Sequence, residues 1–207
     1  MQKIKAIFFD LGNVLVRFDI KKSEEALNAY GNIPKGSFID YVLDSRNCNK
    51  YMEGSLSSSQ FYAKTCRLFR LKIKYGEFYT IWNDIFFSYP EMEKIVRNIK
   101  EKYPEIKLIL LSNTNEKHYE FIKKEYTFLS LLDEHIVSHE VGKIKPHPAI
   151  FKTALNLSKT LPKETLYTDD REDLIEAART MGIRAFLFTG HKELNRQLGK
   201  LGIHLGT

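Results

Sequence analysis

The sequence predicts a three-layer α/β fold, a parallel sheet covered by helices on both faces, interrupted early by an inserted all-helical cap. Three observations carry this expectation. The continuous apolar run at 4–9 has the character of a strand buried on both faces. Residues 18–89 show little strand character. From Pro90 onward, helical and strand periods alternate, the pattern of a parallel sheet with crossover helices. The chain therefore divides into a core of residues 1–17 and 90–207 and a cap of residues 18–89.

In the insertion, segments 22–30, 38–43, 58–69 and 78–87 carry apolar residues at helical spacing, separated by Gly31-Asn32, Pro34, Gly36, Gly54 and Gly76. Ser57 or Ser58 suits a helix N-cap. After Pro90 the predicted order is helix 91–103, strand 107–111, helix 116–126 and strand 135–137. Helix 148–157, strand 165–168, helix 172–181 and strand 184–188 complete it. Pro148 fits a first helical turn and Gly182 a helix stop. An unstructured excursion of about seventy residues is implausible inside a compact domain, so a helical cap over one end of the sheet resolves the insertion. Ligands bind at the carboxyl ends of such strands, which puts the cap over the site.

The bulk properties agree with an ordinary soluble globular protein. The 207 residues are 43% hydrophobic and 28% charged. The first apolar run ends at an aspartate after six residues, too short for a signal peptide core or a membrane span, so a cytoplasmic location is the default expectation. Cys48 and Cys66 have neither CxxC spacing nor nearby histidines, which favours plain packing. The net charge of +6 raises the question of nucleic acid. The lysines, however, are spread along the chain and alternate with glutamate, as at 91–102, so no nucleic-acid partner is expected; a basic balance also suits small anionic substrates. No oligomeric state is legible.

Four polar clusters follow predicted strands. Asp10-Leu11-Gly12-Asn13 ends the first, where a carboxylate on an open turn sits beside amides able to face an anion. Ser112-Asn113-Thr114 follows strand 107–111, a hydroxyl and amide at a helix start that suit either an anion or simple capping. Lys145 stands in a loop stiffened by Pro146 and Pro148. Asp169-Asp170 follows strand 165–168; adjacent carboxylates at a buried strand end repel each other unless a cation sits with them, and an all-oxygen donor set favours magnesium over zinc, while Asp170 also suits a helix N-cap.

In this order, carboxylate, hydroxyl, lysine and carboxylate pair, the set resembles the haloacid dehalogenase (HAD) superfamily of hydrolases, across nearly the whole chain. Ser112-Asn113-Thr114-Asn115 and the run Lys145-Pro146-His147-Pro148-Ala149-Ile150-Phe151 are similar to its branch with a small helical cap, as is the stretch Tyr51 to Ser57. The resemblance implies a Rossmann-like core and phosphatase chemistry on a small phosphorylated metabolite. Asp10 would form an aspartyl-phosphate, with Ser112 and Lys145 holding the phosphoryl oxygens. Leu11, Gly12, Asn13 and Asn113 would line the phosphate site. Asp10, the Gly12 carbonyl, Asp169 and Asp170 would hold Mg2+.

One position departs from the pattern. Gly12 stands where most of these phosphatases carry a second aspartate as general acid and base, help worth roughly 10²–10⁴-fold. A glucose-1-phosphate phosphatase branch has a similar Asp-x-Gly-Asn run. The family's dehalogenases also lack that aspartate, which makes a 2-haloacid dehalogenase one alternative, although Asp169-Asp170 weighs against it. A catalytically impaired binding module is the other. His147 is expected in the first turn of its helix, and Arg17, Asp19, Arg46 and Tyr51 are the polar or aromatic residues in or beside the cap considered for the site.

Overall fold

The computed structural model describes residues 3–44 and 46–205, with the backbone alone at 44 and 47. The chain opens with strand β1 (Ala6–Phe9), whose four residues are all buried. A two-residue strand β2 (Arg17–Phe18) leads into helices α1 (Ile20–Leu27), α2 (Ser37–Asp44), α3 (Arg46–Met52), α4 (Ser58–Phe69) and α5 (Tyr75–Asn83). Strand β3 (Phe86–Phe87) and helix α6 (Pro90–Lys102) bring the chain back to β4 (Lys107–Ser112). Then come α7 (Glu116–Glu125), β5 (Glu134–Val137), α8 (Ser138–Val141), α9 (Pro148–Ser158), β6 (Thr165–Asp169), α10 (Glu172–Thr180), β7 (Arg184–Leu187) and α11 (His191–Lys200).

The five long strands form one parallel sheet in the order β5-β4-β1-β6-β7. The order reverses at β1: the chain builds outward on one side through β4 and β5, then crosses to β6 and β7. Crossovers leaving in opposite directions open a crevice at the carboxyl end of the strand between them. Asp10 stands at that end.

Alternation along β1 explains the layers. Ile7 and Phe9 join Leu108, Leu110 and apolar residues of α6 and α11 on one face, including Val96, Ile99, Leu194 and Leu198. Ala6 and Phe8 join Ile109, Leu111 and residues of α9 and α10 on the other, including Phe151, Ala154, Ile175 and Ala178. The helices between β2 and β3 enclose a separate aromatic-rich cluster that includes Phe38, Tyr51, Phe61, Phe78 and Trp82. There Tyr51 stacks on Phe61 with ring centroids 4.4 Å apart.

Helix ends follow local chemistry. Ser57 caps α4 in a capping box with Gln60, and Asp19 caps α1. Pro148 opens α9; His147 is its N-cap, one residue before the first turn expected of it, with Nδ1 accepting from Ala149 N. The structure adds elements that periodicity did not suggest. Segment 78–87 ends its helix at Asn83, and Phe86–Phe87 pairs antiparallel with Arg17–Phe18, so both connections to the helical insertion run side by side. Helix α3 is a polar run whose buried residues, among the described side chains, are Cys48 and Tyr51, and α11 anchors by Leu194 and Leu198. Both lack a wide apolar stripe. Cys48 and Cys66 form no disulfide. Among the described residues, no helix is long and apolar enough to cross a membrane.

Candidate active site

The turn after β1 is tight. Leu15 N and Val16 N both donate to Leu11 O, and Asn13 adopts φ +56°, a left-handed conformation that asparagine tolerates. Asn13 Nδ2 then donates to Asp170 Oδ2 at 3.0 Å, joining the first motif to the fourth. At Gly12 the space beside the backbone is filled: a Cβ built there would meet Phe18 Cε1 at 2.6 Å.

Lys145 is the hub. Its side chain reaches the sheet end almost wholly buried and donates to three oxygens: Asp10 Oδ1 at 2.6 Å, Asp169 Oδ2 at 2.7 Å and the Leu111 carbonyl at 2.8 Å. Burial pulls its pKa down, but the Asp10 and Asp169 carboxylates outweigh that and hold it above the ordinary lysine value. The loop carrying Lys145 is itself clamped. Asn113 Oδ1 accepts from Lys145 N at 2.7 Å, and Asn113 Nδ2 donates to Lys145 O at 2.9 Å. Both amide ends of Asn113 are thereby engaged with backbone, so its side chain positions the lysine.

Asp169 is buried and fully engaged, accepting from Lys145, from the Tyr167 hydroxyl and from Arg171 N. Helix α10 starts at Glu172, so its N-cap is Arg171, with no side-chain capping bond, and not Asp170. Burial pushes the Asp10 carboxyl up to about 7; Lys145 opposes the shift and Asp169 adds to it. Asp170 is also raised, chiefly by burial, with Asn13 opposing. Each of Asp10, Asp169 and Asp170 offers an oxygen within 4.8 Å of the others'. Three carboxylates facing one ammonium leave excess negative charge in a poorly solvated place, and an all-oxygen set of this kind suits a hard divalent cation.

A cavity of about 250 Å³ opens over these groups. Asp10, Leu11, Gly12, Ser112, Asn113, Lys145, Asp169 and Asp170 line it, so the four clusters meet in one place. Asn13 is outside the lining and reaches the site only through its hydrogen bond to Asp170. None of the four residues considered in or beside the cap lines the cavity. Asp19 caps α1, Tyr51 is buried with its hydroxyl 3.0 Å from Ser58 Oγ, Arg17 lies over the Tyr89 ring, and Arg46 is exposed. The insertion instead presents an apolar wall that includes Ile20, Val42, Met52 and Trp82.

Asn115 and His118, at the start of α7, also line the cavity, and motif reasoning passed over both. The Ser-Asn-Thr-Asn run includes Asn115, but only helix periodicity puts His118 on the same face three residues later. His118 Nε2 lies 3.1 Å from the Trp82 carbonyl and its ring stacks on Trp82, centroids 4.6 Å apart. Burial pushes its pKa down to about 3, with the Trp82 carbonyl opposing, so the imidazole is neutral at ordinary pH.

Fold and site together define a hydrolase, and the chain belongs to the haloacid dehalogenase-like hydrolase family, whose model matches residues 4–182. A D-ribitol-5-phosphate phosphatase of Bacteroides thetaiotaomicron is 27% identical over 191 residues, spanning 88% of this chain and 91% of that protein. A predicted HAD-like family hydrolase from Porphyromonas gingivalis superposes with a TM-score of 0.80 at 24% identity, over 95% of this chain and 98% of that one. A HAD family enzyme from B. thetaiotaomicron, solved in complex with magnesium and inorganic phosphate, superposes with a TM-score of 0.77 at 23% identity, over 89% and 93%.

Proposed function

We propose that the protein is a magnesium-dependent phosphatase of small phosphomonoesters, working through an aspartyl-phosphate on Asp10. The observation that carries this reading is the convergence of Asp10, Asp169 and Asp170 within 4.8 Å beside the buried Lys145 ammonium. The similarity to a D-ribitol-5-phosphate phosphatase supports a phosphorylated polyol or sugar as substrate. The insertion serves as a cap that closes the organic end of the site.

Asp10, the Gly12 carbonyl, Asp169 and Asp170 would hold the ion, which when bound neutralises phosphoryl charge. Lys145 orients the Asp10 carboxylate and, with Ser112, binds phosphoryl oxygens. An Asp10 oxygen attacks phosphorus in line as the ester P–O bond breaks, and the departing alkoxide takes a proton from water. Water then cleaves the acyl phosphate, returning Asp10 as a carboxylate and releasing inorganic phosphate. Gly12 offers no side chain for either proton transfer, so water supplies the proton to the leaving group and takes up the one released.

Phosphate release from phenyl phosphate and a panel of sugar and polyol phosphates, with magnesium and with chelator, tests the reading. Turnover that needs magnesium and vanishes in Asp10→Asn is expected. Halide release from 2-haloacids that survives chelation would replace the reading by a dehalogenase, and ligand binding without turnover by a binding module.

A further inference from the structure

We propose that Asn115 and His118 form a donor–acceptor pair that recognises a hydroxyl group on the organic part of the substrate. The inference rests on the phosphatase reading and specifies which phosphate esters the cavity takes.

Both side chains are buried, 3% and 8% exposed, and both line the cavity that holds Asp10 and Lys145. Each has one polar end committed and one open. Asn115 Oδ1 accepts from His118 N at 3.0 Å, the N-cap bond of α7. That bond directs the amide oxygen at the helix and leaves Nδ2 with no hydrogen-bond partner among the described residues. His118 Nε2 faces the Trp82 carbonyl at 3.1 Å. A carbonyl only accepts, so Nε2 carries the proton and Nδ1 keeps a lone pair, likewise without a partner among the described residues. Stacking on Trp82 and an edge contact with Phe86, centroids 4.9 Å apart, hold the ring against rotation.

The pair presents one donor and one acceptor, the complement of an alcohol, which both donates and accepts. Around it the cap contributes apolar side chains, including Ile20, Val42 and Trp82, suited to the C–H faces of a short polyol or sugar chain. Burying two polar ends inside an apolar wall penalises any ligand unable to satisfy them. The substrate class is therefore a phosphate ester with a hydroxylated carbon chain, discriminated from alkyl and aryl phosphates.

Two measurements test this. In the unaltered protein, kcat/KM for ribitol 5-phosphate should exceed that for pentyl phosphate by roughly tenfold or more. In Asn115→Ser, which keeps a capping oxygen and removes the amide donor, the ratio of kcat/KM for ribitol 5-phosphate over phenyl phosphate should fall about tenfold, through KM and not kcat. His118→Gln retains both a donor for the Trp82 carbonyl and an acceptor, and should keep most of the ratio, whereas His118→Leu should lose it. Trp82, the one tryptophan in the chain, reports on the stack: its fluorescence should change with ribitol 5-phosphate more than with inorganic phosphate. Equal turnover of ribitol and pentyl phosphates, or an unchanged ratio in Asn115→Ser, overturns the inference while leaving the phosphatase reading intact. Failure to hydrolyse any phosphate ester, phenyl phosphate included, overturns both.

Discussion

The aromatic ring of Phe18 occupies the space beside Gly12 that a side chain would need, its Cε1 lying 2.6 Å from where a Cβ would stand. Gly12 is thus matched to its neighbour, and the missing acid cannot be restored by one substitution. Gly12→Asp should force the ring out of place and lower stability by about 1–3 kcal/mol. Gly12→Asp combined with Phe18→Leu should recover most of that loss and turn over an alkyl phosphate faster than the parent. Thermal melts and phosphate release on the three proteins check both parts.

Lys145 holds Asp10 and Asp169 together at 2.6 and 2.7 Å, and nothing else among the described residues neutralises both. Lys145→Met would leave two buried carboxylates facing each other. In chelator, urea unfolding should show a loss of about 3–5 kcal/mol. Magnesium should restore part of it by binding the folded state alone, while turnover stays abolished.

Metal removal should be visible without an activity assay. If Asp10, Asp169 and Asp170 share an ion, the melting temperature rises with magnesium concentration in the parent protein. Asp169→Asn should erase that rise. Asp170→Asn, which alters the carboxylate held by Asn13, should shift it to higher magnesium concentration. A rise that persists unchanged in both variants rules out the shared site.

Acid stability should carry a histidine signature. The folded pKa of His118, about 3, lies below its ordinary value of 6.5. As pH falls through 6.5 the unfolded chain binds a proton that the folded chain refuses until about 3. Stability therefore drops with acidification across that window, by about 1.4 kcal/mol per pH unit. His118→Gln cannot titrate there, so urea melts between pH 6.5 and 4.5 should show a shallower slope than the parent; parallel slopes would contradict the assignment.

The alternation of β1, β4, β6 and their helices was legible because burial on both faces of a sheet demands continuous apolar runs at strand ends rich in polar residues. Asp10, Ser112, Asp169 and Asp170 were legible as polar types beside predicted strand ends, and Lys145 as a lysine in a proline-flanked loop. The β2–β3 ribbon and helices α3 and α11 were not, since each is specified by pairing or by two anchoring residues and not by a local period. Nor does sequence spacing reveal that the Phe18 ring fills the place beside Gly12, that Asn113 clamps the loop of Lys145 from 32 positions away, or that Trp82 fixes the tautomer of His118. Chemical type and strand-end position are properties of local sequence. Which atoms touch across the chain depends on how the insertion docks over the sheet, and only the folded structure decides that.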